Sequence, residues 1–84
     1  MSDDGRPPLE YMRVANDLAA RIKTGEFPVE SRLPREQELA AEYEVSYGTV
    51  RRAMEELRKR RLVVTAWGKG NIVREPEETN GKTS

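Results

Sequence analysis

The chain has 84 residues, with 15 basic and 15 acidic side chains and neither cysteine nor histidine. This length supports one small core. The two absences exclude disulfides, zinc sites built from Cys or His, and catalysis by Ser–His–Asp or Cys–His groups. No apolar stretch approaches the ~20 residues of a membrane span, and the start of the chain lacks the apolar segment of a signal peptide. We therefore expect a cytoplasmic protein that needs no metal or other cofactor.

The net charge of zero conceals an uneven distribution of charged side chains. Residues 1–45 carry six basic and ten acidic groups, residues 46–74 carry eight basic and two acidic groups, and residues 75–84 carry one and three. A segment of net charge +6 thus lies between two acidic segments. Such asymmetry indicates a surface that faces a polyanion.

The first predicted element is a helix over residues 9–24. Apolar side chains recur along it at helical spacing, at Tyr11, Val14, Ala15, Leu18 and Ile22. Gly25 then ends the helix. Residues 1–8 are polar and end in two prolines, so we expect a flexible lead-in. Phe27 is expected to hold the next loop to the core, and residues 31–33 to form a short strand.

A second helix is predicted from about Arg35 to Glu44, opened by Pro34. Arg35 occupies the N-cap position, although a guanidinium has no acceptor for the free N–H groups of a helix start. The missing cap should lower the stability of the protein by about 1 kcal/mol. Because a residue that breaks a local rule is a candidate for function, Arg35 is either a phosphate contact or a tolerated substitution.

A third helix is predicted from the N-cap Ser46 to about Arg60. Its apolar stripe recurs at i, i+3, i+4 and i+7 and comprises Val50, Ala53, Met54 and Leu57. Only Glu44 and Val45 separate this helix from the second one, which is the spacing of a helix-turn-helix. The polar residues left off the stripe near the positive helix N-terminus suit phosphates and base edges; they are Tyr47, Gly48, Thr49, Arg51 and Arg52.

Taken alone, the third helix is better explained as an ordinary amphipathic helix with solvated charges. Likewise, the cationic run from Arg58 to Arg61 suits either the negative end of that helix or a phosphate backbone. A β-hairpin follows, with strands predicted at residues 62–65 and 72–74 and a turn that presents Trp67 and Lys69. We expect Trp67 to pack at the base of the hairpin, since tryptophan is usually buried.

Three helices followed by a hairpin predict a mainly α fold with a small β-hairpin: a winged helix-turn-helix with three helices plus wing, over residues 9–75. The polar residues 76–84 are expected to be a disordered tail. Three motifs in register carry a closer resemblance, and they read Leu33-Pro34-x-Glu36-x-Glu38-Leu39-Ala40, Val45-Ser46-x-x-Thr49-Val50-Arg51-x-Ala53-x-x-x-Leu57 and Gly68-Lys69-Gly70-x-x-Val73. From about Tyr11 to Val73, the chain resembles the GntR family of bacterial transcription regulators.

The resemblance implies sequence-specific binding of double-stranded operator DNA by a nucleoid-associated bacterial regulator. The family places the second helix of the helix-turn-helix in the major groove and the wing tip near the minor groove. Carried over by position, the implied DNA contacts are Arg35, Gln37, Ser46, Tyr47, Gly48, Thr49, Arg51, Gly68 and Lys69. We add Arg52 as a phosphate contact. On a palindromic operator we expect a second copy, with half-sites about 10 bp apart or a multiple.

The chain departs from the family pattern in the residues expected to read DNA. The family commonly has arginine where Tyr47 stands, and tyrosine cannot make the bidentate contact to guanine O6 and N7. Around Glu36 the family has serine and arginine, whereas this chain has Arg35 and Gln37. Glutamine can read adenine, so we expect an operator different from the family's usual one.

Members of the family normally carry an effector-binding and dimerising domain after the wing, and the roughly ten polar residues found there give no effector site. An alternative function is a winged-helix protein–protein interaction module that does not bind DNA. Trp67 and Tyr47 would then be interface anchors. An enzyme is not expected, because the sequence offers no convergent set of catalytic groups.

Overall fold

The computed structural model describes residues 8–75. It contains three helices, α1 (Pro8–Lys23), α2 (Glu36–Tyr43) and α3 (Tyr47–Lys59), and one antiparallel pair of strands, β1 (Val63–Ala66) and β2 (Gly70–Val73). This order confirms the predicted mainly α winged helix-turn-helix with three helices plus wing. The expected disordered tail and all of the expected lead-in except Pro8, which begins α1, lie outside the described residues.

The core forms where α1, α3 and the base of the hairpin meet. The stripe predicted on α3 is fully buried, with Val50, Ala53, Met54 and Leu57 each 0% exposed. It packs with the buried stripe of α1, with Leu39 of α2, and with Val63 and Val73 of the hairpin. Phe27 packs against this core as predicted. Burial of these side chains supplies most of the stabilisation of so small a domain.

The turn between α2 and α3 is fixed by backbone geometry. Glu44 adopts a left-handed conformation with φ 58°, and its N–H donates to the carbonyls of Ala40 and Ala41. Val45 is half-buried against the core. At the other end of α2, Arg35 gives no side-chain cap, as predicted. Half of the capping box nevertheless exists, because the Arg35 N–H donates to Glu38 Oε1 at 3.2 Å.

The hairpin differs in detail from the prediction. Its strands are each shifted by one or two residues, and the expected strand at residues 31–33 is a single bridge between Arg32 and Ile72. Trp67 does not pack at the hairpin base; it is 100% exposed. The reason is the three-residue turn that starts at Trp67, closed by the Lys69 N–H donating to the Ala66 carbonyl at 3.0 Å, which projects beyond the paired strands.

A polar cluster joins α1 to the end of α2 on the surface. The Arg21 guanidinium donates to Glu26 at 2.8 Å, to Glu42 at 2.9 Å and to the Tyr43 hydroxyl at 2.7 Å. That hydroxyl in turn donates to the Asp17 carboxylate. Burial and the hydrogen bond to Asp17 raise the pKa of Tyr43 to about 12, although Arg21 opposes this shift.

The raised pKa of Tyr43 predicts a loss of stability in alkali. An unfolded tyrosine ionises near pH ~10, so the folded protein holds this proton more tightly than the unfolded chain does. The stabilisation is therefore complete below about pH 10 and is lost as the pH rises toward about 12. Tyr43→Phe should lower the free energy of unfolding by about 0.5–1.5 kcal/mol at neutral pH. In this variant the free energy of unfolding should also decline less between neutral and alkaline pH than in the wild type.

Urea unfolding at a series of alkaline pH values measures this difference. The control is Tyr47→Phe, which changes an exposed tyrosine and should keep the wild-type decline. Parallel curves for the wild type and Tyr43→Phe would contradict the assignment.

Candidate nucleic-acid interface

A groove runs between the start of α2, one face of α3 and the wing. It is lined by residues 32–37, by Tyr47, Arg51 and Arg58 of α3, and by Thr65 and residues 68–71 of the wing. The helix-turn-helix and the hairpin thus contribute to one surface, although they are separate in the sequence.

The groove is strongly cationic. Its lining contains one carboxylate, Glu36, and five exposed cations, which are Arg32, Arg35, Arg51, Arg58 and Lys69. The lining therefore has a net charge of +4 on a chain whose total is zero. Concentrated positive charge between protruding walls attracts a polyanion and raises its association rate.

The start of α3 is built by its N-cap. As predicted, the Ser46 hydroxyl accepts from the Thr49 N–H at 3.0 Å, and it also donates to the Thr49 hydroxyl at 3.0 Å. Four residues apart on one helix face, Tyr47 and Arg51 are in contact, with the guanidinium 5.9 Å from the ring centroid. Arg58 lies two turns further along the same face.

Of the ten residues predicted to contact DNA, the groove brings six together: Arg35, Gln37, Tyr47, Arg51, Gly68 and Lys69. Ser46, Gly48, Thr49 and Arg52 lie outside this lining. Ser46 and Thr49 are engaged in the cap. Arg52 is stacked on Tyr11 of α1, 4.3 Å from its ring centroid.

Gly48 is exposed at the start of α3, and the chain's own packing does not require a glycine there. A Cβ added at this position would meet only the Ser46 hydroxyl, at 3.9 Å, which is an ordinary contact distance. Glycine therefore leaves room on the outside of the helix, where a partner can approach the backbone closely.

Reasoning from the sequence missed several lining residues, notably Arg32, Thr65 and Asn71. The sequence marks Arg58 only as a member of a cationic run, and the members of that run lie in different surroundings in the structure. Arg58 faces the groove, whereas Arg60 pairs with Glu56 at 3.0 Å. The spacing of seven residues from Arg51 could have identified Arg58. No local signal marks Asn71 as a link to α2, because its contacts with Glu36 and Leu33 are distant in sequence.

Residues 8–75 contain neither a cluster of metal-ligating side chains nor a membrane-spanning helix. No group of His, Cys, Asp and Glu side chains in this part of the chain could hold a metal ion. No helix in it combines the length and the apolar character needed to cross a membrane.

The sequence matches a family described as bacterial regulatory proteins, gntR family, over residues 10–73. The histidine utilization repressor of Pseudomonas putida is 38% identical over 74 residues, which are 88% of this chain and 29% of that protein. The HTH-type transcriptional regulator TreR of Bacillus subtilis is 34% identical over 64 residues, 76% of this chain and 27% of that protein. The chain thus spans less than a third of the length of either regulator.

Solved structures agree with this match. A GntR family transcriptional regulator from Listeria monocytogenes superposes with a TM-score of 0.75 at 30% identity, over 87% of this chain and 62% of that one. AraR(DBD) in complex with operator ORR3 superposes with a TM-score of 0.72 at 28% identity, over 76% and 77% of the two chains. The chain belongs to the gntR family of bacterial regulatory proteins, and its three helices and hairpin are the winged helix-turn-helix domain of that family.

Proposed function

We propose that this chain binds a specific sequence of double-stranded DNA through its cationic groove, as the DNA-binding domain of a bacterial transcription regulator. The observation that carries the proposal is the union of the helix-turn-helix and the wing in one lining of net charge +4. The superposition on AraR(DBD), which was solved with an operator, supports it.

The groove offers phosphate contacts on both sides of a recognition helix. Arg35 lies at the start of α2 and Lys69 at the wing tip, with the N-terminal half of α3 between them. In this arrangement Arg35 and Lys69 hold the DNA backbone or the minor groove, and the start of α3 enters the major groove. Arg52, which lies outside the lining on Tyr11, is a flanking phosphate contact. Contacts of this kind fix register on the duplex, while base edges supply specificity.

Base reading is assigned to residues at the two helix starts. Arg51 can form the bidentate contact to guanine that Tyr47 cannot, and Tyr47 can hydrogen-bond one acceptor or pack on a thymine methyl. Gln37 can pair with adenine. Thr49 reads a base edge together with Tyr47. Ser46 and Gly48 lie at the positive N-terminal end of α3, which favours a DNA phosphate, and Gly68 allows the wing turn to approach the minor groove.

The wider biology follows from this proposal. The regulator acts on DNA in the cytoplasm, at the nucleoid, without a cofactor and without catalysis. Residues 9–75 form the binding unit, and two copies occupy a palindromic operator. Because the matched regulators are more than three times as long as the match, we place effector control outside the binding unit.

Selection of duplexes from a random pool, followed by a salt titration of the selected duplex, tests DNA binding. A single enriched motif is expected. The slope of log K against log salt should fall by roughly 0.9 in Lys69→Gln, because one phosphate contact is lost. The matched control is Lys23→Gln, an exposed lysine in the last turn of α1, which should keep the wild-type slope. Absence of an enriched motif together with no duplex binding at low salt would refute the proposal.

Gly48→Ala separates binding from stability. Alanine favours a helix over glycine by up to about 1 kcal/mol, and no clash opposes it. The variant should therefore unfold at the same or a higher temperature, yet bind the selected duplex at least about tenfold more weakly, since the methyl group blocks close approach. Asn16→Ala, at an exposed position on α1, is the control: it should stabilise the helix and leave binding unchanged. Wild-type affinity in Gly48→Ala would remove this position from the interface.

One observation favours the alternative of a protein-interaction module, namely the full exposure of Trp67. Trp67 is the only tryptophan of the chain, so selectively excited indole fluorescence reports on the wing tip alone. If the wing enters a DNA groove, the selected duplex should protect this fluorescence from an aqueous quencher and shift its emission. Duplex binding that leaves the indole fully accessible would take the wing tip out of the interface, and lack of any duplex binding would favour the module.

A further inference from the structure

A directed chain of hydrogen bonds crosses the floor of the groove. Arg58 Nη1 donates to Thr65 Oγ1 at 3.0 Å, the Thr65 hydroxyl donates to Asn71 Oδ1 at 3.0 Å, and Asn71 Nδ2 donates to Glu36 Oε2 at 3.3 Å. This series of hydrogen bonds starts at a cation on α3, passes through both strands, and ends at a carboxylate on α2. It thus links the wing to both helices of the helix-turn-helix.

Asn71 is the centre of this chain. Within residues 10–75 it is the one polar or charged residue that is buried, at 8% exposure. It lies directly opposite Thr65 in the hairpin, and its carbonyl accepts from the Leu33 N–H at 2.9 Å. A buried amide is retained at low cost when its donors and acceptors are paired, and here both ends of the side chain are paired.

The position of Asn71 along the wing means that its hydrogen bonds can hold the outer half of the wing in place. Val73 is fully buried at the base of the wing, and Asn71 lies two residues nearer the tip on the same face. Beyond it, Trp67 is completely exposed. A two-stranded hairpin is marginally stable without packing, so the outer half of this wing depends on the attachment at Asn71.

We propose that Asn71 is a positioning residue that locks the outer half of the wing to the start of α2 and to α3, and thereby holds Lys69 in place opposite Arg35 and Arg51. The consequence for binding rests on the proposed DNA-binding function. The wing then reaches the duplex already oriented, and less conformational entropy is lost on binding.

The first test needs no DNA. Thr65→Val keeps the shape and the strand preference of the residue but removes the hydroxyl that joins Arg58 to Asn71. Backbone order parameters from NMR relaxation for residues 66–70 should fall below ~0.6 in this variant, while those of the three helices remain at wild-type values. The matched control is Val64→Thr, the reverse exchange at the exposed neighbouring position of the same strand, which should leave the wing as ordered as in the wild type.

Two further variants examine the link to α2. Asn71→Asp can still accept from Thr65 but cannot donate to Glu36, and it adds a second carboxylate, so it should loosen the wing as Thr65→Val does. Glu36→Gln keeps an oxygen that accepts from Asn71, so wing order should stay at the wild-type level. Unchanged order in both Thr65→Val and Asn71→Asp would overturn the positioning role.

The second test uses the duplex selected from the random pool. At a temperature where thermal unfolding shows each variant to be fully folded, Thr65→Val and Asn71→Asp should each bind roughly 3- to 10-fold more weakly, the equivalent of about one hydrogen bond. Lys69→Gln should reduce the affinity for the duplex by a smaller factor in the Thr65→Val background than in the wild type, because a mobile wing no longer holds the lysine in place.

Strict additivity of the two substitutions, with wild-type affinity in Thr65→Val, would show that the order of the wing does not contribute to binding and would overturn that consequence of the proposal. If the wild type binds no duplex, the proposed function fails. The order parameters measured without DNA still decide whether Asn71 positions the wing, so the two failures are distinguishable.

Discussion

The period of an α-helix is the constraint on which the rest of this structure depends. Burying Val50, Ala53, Met54 and Leu57 fixes the rotation of α3 about its axis. The residues that remain off the stripe are then determined, and those on one flank of it include Tyr47, Arg51 and Arg58 of the groove lining. One apolar stripe thus holds the domain together and also decides which side chains face a partner.

Acidic and basic side chains are concentrated on different parts of the surface. The acidic residues near Arg21 are used in a cluster that joins α1 to α2, whereas five cations line the groove beside a single carboxylate. Glu36 accepts a hydrogen bond from Asn71, so even this carboxylate has a structural partner. A total charge of zero is therefore compatible with a surface that attracts a polyanion, since the field near a groove depends on nearby charges.

Local features of the sequence could be predicted well because they act over a few residues. The Ser46 cap and the stripe on α3 follow from contacts between positions three or four residues apart, and the turn at Glu44 follows from the short connection. The sequence places Trp67 correctly in the hairpin turn, but the burial expected for it is wrong, since the average burial of tryptophan says nothing about a turn that projects beyond its strands. Asn71 could not be identified, because its partner Glu36 is 35 positions away in sequence.

The unusual residue at position 47 takes on a different meaning once the geometry is known. The arginine that the family commonly has there would add a third cation to the face of α3 that lines the groove, beside Arg51 and Arg58. In this chain the Arg51 guanidinium lies over the Tyr47 ring. A ring in this position restricts the conformations of the arginine side chain and favours a planar, bidentate contact by the guanidinium. Tyr47 can therefore influence specificity through Arg51 as well as through its own hydroxyl. Tyr47→Phe would keep the ring beneath Arg51 and remove the hydroxyl. An unchanged base preference in this variant would show that Tyr47 acts through Arg51, and a relaxed preference at one base would show that its hydroxyl reads that base.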